Sequence, residues 1–281
     1  MKNTINILAL VAIIALPLAL FPARTSGPTV TDEVRRVVSL SPAITAAIVD
    51  LGASEVLVGV SDRYPPVLRG IEVVGDLARV DMERIVALGP DVVFFSAEDG
   101  ATQMADRVRA IGVPAHRFGR NRNFDDICAH YIELGDILGR GGRAREQVDG
   151  YRRRLERIVH AAGGPRVALF ISHAPLIPAG GGSFVGRMIE AAGGRNAFGG
   201  LDRPFPVVSA EHLVLVDPDV IVSIDADPGK FFSSGAFRDM RAVRRGAVRR
   251  IDADMVGTYT PRSFVDAAGE LGRLIADAGK S

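Results

Sequence analysis

The sequence has no tryptophan and only one cysteine, Cys128, among its 281 residues. A single cysteine cannot form an internal disulfide, and it excludes zinc sites and iron–sulfur clusters that are built from several cysteines. Lysine is also scarce, with only Lys2, Lys230 and Lys280, so nearly all of the 34 cationic residues are arginine. Because 33 acidic residues leave a formal net charge of +1, we expect no basic face and no nucleic-acid partner.

The histidines are too scattered to form a metal-binding pattern. They are His116, His130, His160, His173 and His212, with no H-x-H pair and no pair four residues apart. A receptor for a bare zinc or manganese ion needs several side-chain ligands, so we predict neither a metal site nor a cofactor. His173, in the sequence ISHAP, is the histidine expected near a binding cleft, where it would be a hydrogen-bonding wall residue.

The first 27 residues have the order of an export signal. Lys2 precedes a nearly unbroken apolar run from Ile5 to Phe21, and polar residues follow soon after. The alternative is an uncleaved membrane anchor, because a run of this length is at the lower edge of what spans a bilayer. We therefore expect residues 1–27 to direct the chain to the bacterial periplasm. No cysteine follows the run, so we expect no lipid anchor.

Short apolar runs alternate with helical stretches from Val37 onward. The pattern predicts strands at 37–40, 56–60, 92–95, 113–118, 166–171 and 220–224, and helices at 41–53, 101–112, 182–194 and 263–279. Strands that are continuous apolar runs and alternate with helices are typical of parallel sheets covered on both faces. The sequence therefore predicts an α/β fold.

Residues 124–162 interrupt this alternation with two helical segments. The second, RAREQVDGYRRRLERIVHAAGG from residue 143, predicts one long amphipathic helix. Its apolar stripe, at spacings of three and four, consists of Val148, Tyr151, Leu155 and Val159. We therefore divide the chain into an N-terminal lobe at 28–123, a helical linker at 124–164 that includes the long bridging helix, and a C-terminal lobe at 165–281.

One sequence pattern, which we call the glutamate cassette, occurs in both lobes. DMERIVALGPDVVFF at 81–95 aligns without a gap with SAEHLVLVDPDVIVS at 209–223, which places Glu83 on Glu211 and Asp91 on Asp219. Each copy predicts a short helix with a glutamate in its first turn, then Pro-Asp and a strand. The glutamates can complement the helix dipole, or they can form an exposed pair that binds arginines of a partner.

These segments together resemble one protein family. SLSPAITAAIVDLGA (39–53), VGVSDRYPP (58–66), both cassettes and GSFVGRMIEAAGGRNAF (182–198) are similar to periplasmic substrate-binding proteins of cobalamin and iron–siderophore ABC importers. The likeness covers nearly the whole chain from about Arg36. It implies two Rossmann-like lobes with mostly parallel sheets, joined by a single long α-helix, with the ligand in the cleft between them.

The resemblance also implies partners. The ligand would be a small-molecule metal chelate, either a corrinoid such as cobalamin or a ferric siderophore. Glu83 and Glu211 fall on the family's glutamates that dock onto arginines of the ABC transporter permease. We expect the binding protein itself to be a monomer.

The ligand-binding residues are likewise expectations from the resemblance. Cobalamin-binding members line the cleft with tryptophan and tyrosine, but two positions that can hold tryptophan hold Leu77 and Phe205 here. Tyrosines remain as aromatic walls, and arginines suit the anionic groups of a siderophore. The predicted set is Arg63, Tyr64, Leu77, Arg79, Phe95, His173, Arg203, Phe205, Tyr259 and Arg262. Haem-binding relatives commonly place an axial tyrosine before the first cassette, and GDLARVD at 75–81 has none.

Two other classes of protein stay open. Two-lobed α/β chains also include metal chelatases and hydrolases, but we predict no enzyme, because the sequence has no G-x-S-x-G elbow and no nucleophile–base set. A membrane-anchored sensor or scaffold with the same fold is the other alternative. AGGGSFVG at 179–186 lacks the ending of a phosphate-binding loop, so we predict a turn into a helix, with Ser183 near the helix start.

Overall fold

The computed structural model describes residues 34–65, 67–75, 79–100, 102–158 and 163–279. The predicted export signal or anchor at 1–27 and the predicted ligand contact Leu77 lie outside these residues. Among the described residues, no helix combines the length and the apolar character needed to cross a membrane.

The first lobe is built around a sheet of five parallel strands in the order β3-β2-β1-β4-β5. The strands are β1 Val37–Ser39, β2 Leu57–Val60, β3 Glu72–Val73, β4 Val92–Ser96 and β5 Ala115–Phe118. The helices between them are α1 Pro42–Asp50, α2 Met82–Leu88 and α3 Thr102–Ala110. This strand order is the one found in Rossmann-type sheets, in agreement with the Rossmann-like lobes that the resemblance implied.

Both faces of the first sheet are buried, because successive side chains of a strand point to opposite faces. In β4, Phe94 belongs to the large core that includes α1 and α4 side chains, while Phe95 belongs to a smaller core with Ile85 of α2 and Val108 of α3. Phe94 and Phe95 are both fully buried. The continuous apolar run VVFF is therefore a strand covered on both sides.

Two helices follow the first sheet, α4 Phe124–Ile137 and α5 Gly141–Ile158. Gly139, with a φ of 68°, separates them, since glycine adopts this left-handed conformation without strain. The long helix begins at Gly141, two residues before the predicted start. Val148 and Tyr151 of its predicted apolar stripe are buried, and Val159 lies outside the described residues.

The second lobe contains a mixed sheet in the order β10-β9-β6-β7, with β8 also paired to β6. Its strands are β6 Arg166–His173, β7 Leu176–Pro178, β8 Arg195–Asn196, β9 Val220–Ser223 and β10 Val248–Arg250. All pairs are parallel except β6 with β7, which the sequence did not predict. The two residues between β6 and β7 allow only an antiparallel hairpin, since parallel strands need a long crossover.

The helices of the second lobe are short except for the last one. They are α6 Phe184–Ala191, α7 Ala210–Val216, α8 Pro228–Phe232, α9 Arg241–Arg244, α10 Ala253–Gly257 and α11 Pro261–Ala278. α11 packs against α4 and α5 as well as α6 and α10, and the rings of Phe124 and Phe264 are 5.0 Å apart. The connection between the lobes is therefore α5 reinforced by α11.

The limits predicted for the lobes remain predictions. β5 ends at Phe118 and β6 begins at Arg166, so the two sheets lie on either side of the predicted linker.

Candidate functional site

The two glutamate cassettes fold in the same way. α2 is capped by Asp81, whose carboxylate accepts the N–H of Arg84, and α7 is capped by Ser209, whose hydroxyl accepts the N–H of His212. The side chains that anchor the two helices, Ile85 and Leu213, occupy matched positions and are both fully buried.

The Pro-Asp part of each cassette is structural. Oδ2 of Asp91 accepts the N–H of Arg36 at 2.8 Å, and the N–H of Asp91 donates to the carbonyl of Arg36 at 2.8 Å. Asp219 makes the same two bonds with Arg166, at 2.9 and 2.8 Å. Each aspartate therefore ties the start of its own strand to the start of the neighbouring strand β1 or β6. This reciprocal bond explains why Pro-Asp precedes the strand twice.

The glutamates of the cassettes make no comparable structural contact. Glu83 lies in the first turn of α2 and Glu211 in the first turn of α7, and both are exposed. The N–H of Glu211 itself and the hydroxyl of Ser209 hold the pKa of the Glu211 carboxyl below its usual value. Glu211 thus stays ionised, and each lobe presents one exposed acidic side chain at an equivalent position.

A cavity of about 320 Å³ lies between the two lobes. Three aromatic side chains line it. They are Phe184 at the start of α6, Phe205 in the loop that precedes the second cassette, and Tyr259 in the loop before α11. Ile171 and Ile224 add apolar walls at the end of β6 and just after β9. These are carboxyl ends of parallel strands, where open α/β sheets bind ligands.

Two carboxylates, Glu98 and Asp99, supply the charge in the wall of this cavity. Both follow β4. Oε1 of Glu98 accepts the N–H of Asn121 at 2.6 Å, which holds the carboxylate beside the end of β5. Burial raises the pKa of the Asp99 carboxyl, and hydrogen bonds from Ser41 and Tyr259 partly oppose that shift.

Tyr259 connects the lobes across this cavity. Its hydroxyl lies 3.0 Å from Oγ of Ser41 and donates to Oδ2 of Asp99 at 3.0 Å. Burial raises the pKa of the Tyr259 phenol, so the hydroxyl remains protonated and available as a donor. Tyr259 also meets Phe184 edge to face, with ring centroids 5.9 Å apart.

The structure brings two of the predicted ligand contacts, Phe205 and Tyr259, to the cavity wall. Arg63, Arg79 and Arg203 are exposed in loops, and Tyr64 is partly buried against the core.

The prediction that Phe95 contacts the ligand is wrong. The Phe95 side chain has no exposed surface and packs within the first lobe, because it points to the face of β4 that α2 and α3 cover.

The side chain of Arg262 is hydrogen-bonded to Asp50 and does not line this cavity. Its Nε donates to Oδ1 of Asp50 at 2.7 Å, and its guanidinium lies over the ring of Tyr151. Arg262 borders a separate open groove of about 620 Å³ between α1 and the α10–α11 corner. The walls of this groove come from α1, α10, α11 and the loops beside them.

His173 is hydrogen-bonded within the second lobe and does not line the cavity between the lobes, and its predicted role as a wall residue stays a prediction. Its N–H donates to Oδ2 of Asp225 at 2.7 Å, and Nδ1 lies 3.3 Å from Oγ of Ser223. Its ring stacks on Phe231 with centroids 4.3 Å apart. In the described part of the chain, no group of three His, Cys, Asp or Glu side chains is arranged to hold a metal ion.

Three residues that line the cavity, Glu98, Asp99 and Phe184, were not predicted from the sequence. The position of the carboxylates directly after the predicted strand VVFF was a usable signal, because residues at the carboxyl ends of parallel strands face the crevice. Phe184 was recognised only as part of a helix start. That helix is capped as predicted, with the N–H of Gly186 donating to Ser183 Oγ at 3.0 Å.

Two lobes with a ligand-sized, aromatic-lined cavity between their strand ends define a binding protein. Comparison with known proteins agrees with this class. Residues 37–255 match the family described as periplasmic binding protein. The chain belongs to the periplasmic binding protein family, whose members bind substrates and are not enzymes.

Three relatives illustrate the family. The vitamin B12-binding protein of Vibrio parahaemolyticus is 25% identical over 252 residues, covering 86% of this chain and 90% of that protein. An uncharacterised ABC transporter substrate-binding lipoprotein of Bacillus subtilis is 24% identical, covering 92% and 85%. The structure of a periplasmic haem-binding protein from Roseiflexus sp. RS-1, without ligand, has a TM-score of 0.73 and 25% identity, covering 87% and 99%.

Proposed function

We propose that this protein is the periplasmic substrate-binding protein of an ABC importer, and that it captures a metal chelate between its lobes. The observation that carries the proposal is the cavity at the strand ends, with Phe184, Phe205 and Tyr259 as its aromatic walls. Aromatic faces suit flat or apolar chelates. Relatives whose names state vitamin B12 or haem binding support the same ligand class.

A chelate fits this site better than a bare ion. The described residues offer no cluster of metal-binding side chains, so the metal would have to arrive already coordinated by its chelator. The cavity, at about 320 Å³, is at the lower end of the roughly 300–1,000 Å³ typical of ligand pockets. A corrinoid or a ferric siderophore would therefore keep part of its surface outside the cavity.

Delivery to a membrane permease is the second part of the proposal. Glu83 and Glu211 are exposed at equivalent positions of the two lobes, and each follows a capped helix start. A pair of carboxylates held in this way suits bidentate arginines on a partner. The Bacillus relative, named as an ABC transporter substrate-binding protein, supports this role.

The ligand can be tested by absorbance spectroscopy and calorimetry of the purified protein with hydroxocobalamin, hemin and ferrioxamine B. We expect one of these chelates to bind at one per chain. Phe205→Leu should weaken that binding about three- to tenfold, because an aromatic contact contributes about 0.5–1.5 kcal/mol beyond the area it buries.

Phe231→Leu is the matched control. Phe231 packs on His173 and Phe237 and does not line the cavity, so its loss should leave the dissociation constant unchanged. The ligand proposal is wrong if none of the three chelate classes binds. The assignment of the site is wrong if the two variants weaken binding equally.

A further inference from the structure

The charged side chains that line the cavity among the described residues both come from the first lobe, and both are acidic. Glu98 and Asp99 are the charged groups among the described residues that line it. A ligand entering here meets carboxylates rather than the arginines that the sequence led us to expect.

The arginines near the cavity lie outside it. Arg120 and Arg122 line a separate recess of about 20 Å³ that shares Glu98 and Phe205 with the main cavity. Arg122 is held by Asp126, at 3.0 Å between Nε and Oδ2. Because this recess is much smaller than the main cavity, it has no room for the body of a chelate.

Asp99 retains capacity to accept hydrogen bonds from a ligand. Tyr259 donates to its Oδ2, and Ser41 also hydrogen-bonds to the carboxylate, which leaves part of its acceptor capacity free, because a carboxylate can accept about four hydrogen bonds. Asp99 is only partly buried and borders the cavity. Its burial disfavours the charged form, so a nearby ligand carboxylate would add repulsion while a ligand N–H would add a further hydrogen bond.

We propose that Asp99 and Glu98 make the cavity selective for chelates that present N–H donors, as carboxamides or protonated amines, and that they reject chelates presenting carboxylates at the same positions. This inference rests on the proposed function and narrows its ligand class. Like charges brought together on binding cost affinity, and specificity often comes from such a repulsive element.

The test compares pairs of ligands with the same metal-binding core, one member presenting amides or an amine and the other presenting carboxylates. The pairs are dicyanocobinamide with dicyanocobyrinic acid, the diamide of hemin with hemin, and ferrioxamine B with its N-succinyl derivative. Dissociation constants are measured by calorimetry at neutral pH. For the chelate class that binds, we expect the amide or amine form to bind at least about tenfold more tightly than the carboxylate form, or about 1.4 kcal/mol.

The variants Asp99→Asn and Glu98→Gln keep an acceptor and remove the charge. Each should bring the two forms of the pair closer in affinity, chiefly by strengthening the carboxylate form, and Asp99→Asn should reduce the ratio to about threefold or less. Asp239→Asn changes an exposed carboxylate outside the cavity and should leave the ratio unchanged.

The outcomes separate the two proposals. If no member of any pair binds, the proposed chelate-binding function is wrong, and so is the proposed selectivity. If a chelate class binds but the carboxylate form is equal or tighter in the wild-type protein, the selectivity alone is wrong and the proposed function stands. The wild-type ratio needs no variant, so poor folding of Asp99→Asn would not prevent a decision.

Discussion

At the scale of single residues, Cys128 shows how burial changes chemistry. Its side chain is 1% exposed within the core between α4 and the first sheet. Burial raises the pKa of the thiol to about 12, because the thiolate would lose its hydration. The thiolate is the reactive form of cysteine, so the thiol should be inert in the folded protein.

We therefore predict that Cys128 reacts with a disulfide reagent at pH 8 only when the chain unfolds. A pKa near 12 in place of 9 lowers the thiolate fraction about 1,000-fold, and lack of access slows the reaction further. The measurement is the labelling rate with and without denaturant. Ala129→Cys, at the exposed neighbouring position of α4, is the control and should label quickly in the native state. Equal rates at the two positions would contradict the prediction.

The ligand cavity was only partly predictable at this scale. Phe205 and Tyr259 were expected from the resemblance to the family, and both line the cavity, while contact with the ligand stays a prediction. The prediction that Phe95 contacts the ligand was wrong because neighbouring residues of a strand point to opposite faces of the sheet. Neighbouring Phe94 and Phe95 look alike in sequence, and only the placement of helices α2 and α3 decides what covers each.

At the scale of elements, the cassettes combine two separable parts. Asp91 and Asp219 fix the strands by bonds to β1 and β6, whereas Glu83 and Glu211 remain exposed. The longer helices and the longer strands were predicted from periodicity and caps. The short helices α8, α9 and α10 and the short strands β3, β7, β8 and β10 were not, because elements of two to five residues depend on tertiary contacts and leave no periodic pattern.

The exposed half of the cassettes gives the next prediction. Glu83→Lys or Glu211→Lys should weaken binding to the cognate permease by about 30-fold or more, since truncating one partner of a buried charge pair costs about 2–5 kcal/mol. The permease is captured in detergent or nanodiscs and the affinity is measured by surface plasmon resonance. Ligand affinity, measured separately, should not change, because neither glutamate lines the cavity.

Glu146→Lys reverses an exposed charge on α5 and serves as the control for net charge. If it weakens permease binding as much as Glu83→Lys, the effect is general electrostatics and not docking. If ligand affinity falls together with permease affinity in the glutamate variants, the cassettes do not have a separate docking role.

At the scale of the whole molecule, one carboxylate joins both lobes to the linker helices. Asp50, at the end of α1, accepts the hydroxyls of Tyr131 and Tyr151 at 2.7 and 2.9 Å and Nε of Arg262 at 2.7 Å. Its side chain is only 9% exposed. Burial raises the pKa of Tyr151 to about 12, which keeps the hydroxyl protonated as a donor.

The partners of Asp50 come from three different helices, α4, α5 and α11. The first lobe is thus fixed to both linker helices and to the last helix of the chain through a single group. Arg262 was expected to contact the ligand because it follows a loop near the cleft; the structure bonds it to Asp50, and ligand contact stays a prediction. Contacts between residues more than 200 positions apart, such as this one, have no local sequence signal.

We predict that Asp50→Asn loosens the arrangement of the lobes. Removing the charge weakens bonds from three donors, and a hydrogen bond to a charged group contributes about 1.5–3 kcal/mol, so the free energy of unfolding in urea should fall by about 2 kcal/mol or more. Spin labels on Arg107→Cys in α3 and Arg238→Cys in the second lobe, both at exposed positions, report the distance between lobes. The distance distribution should broaden in Asp50→Asn.

Asp106→Asn is the matched control, because Asp106 pairs with Arg109 on the surface of α3 and exposed pairs contribute about 0–1 kcal/mol. It should leave both stability and the distance distribution close to those of the parent protein. If Asp50→Asn is destabilising but the distribution stays narrow, the packing of α11 along α4 and α5 sets the orientation of the lobes without help from Asp50. If Asp50→Asn matches Asp106→Asn in both measurements, the bonds at Asp50 do not join the lobes at all.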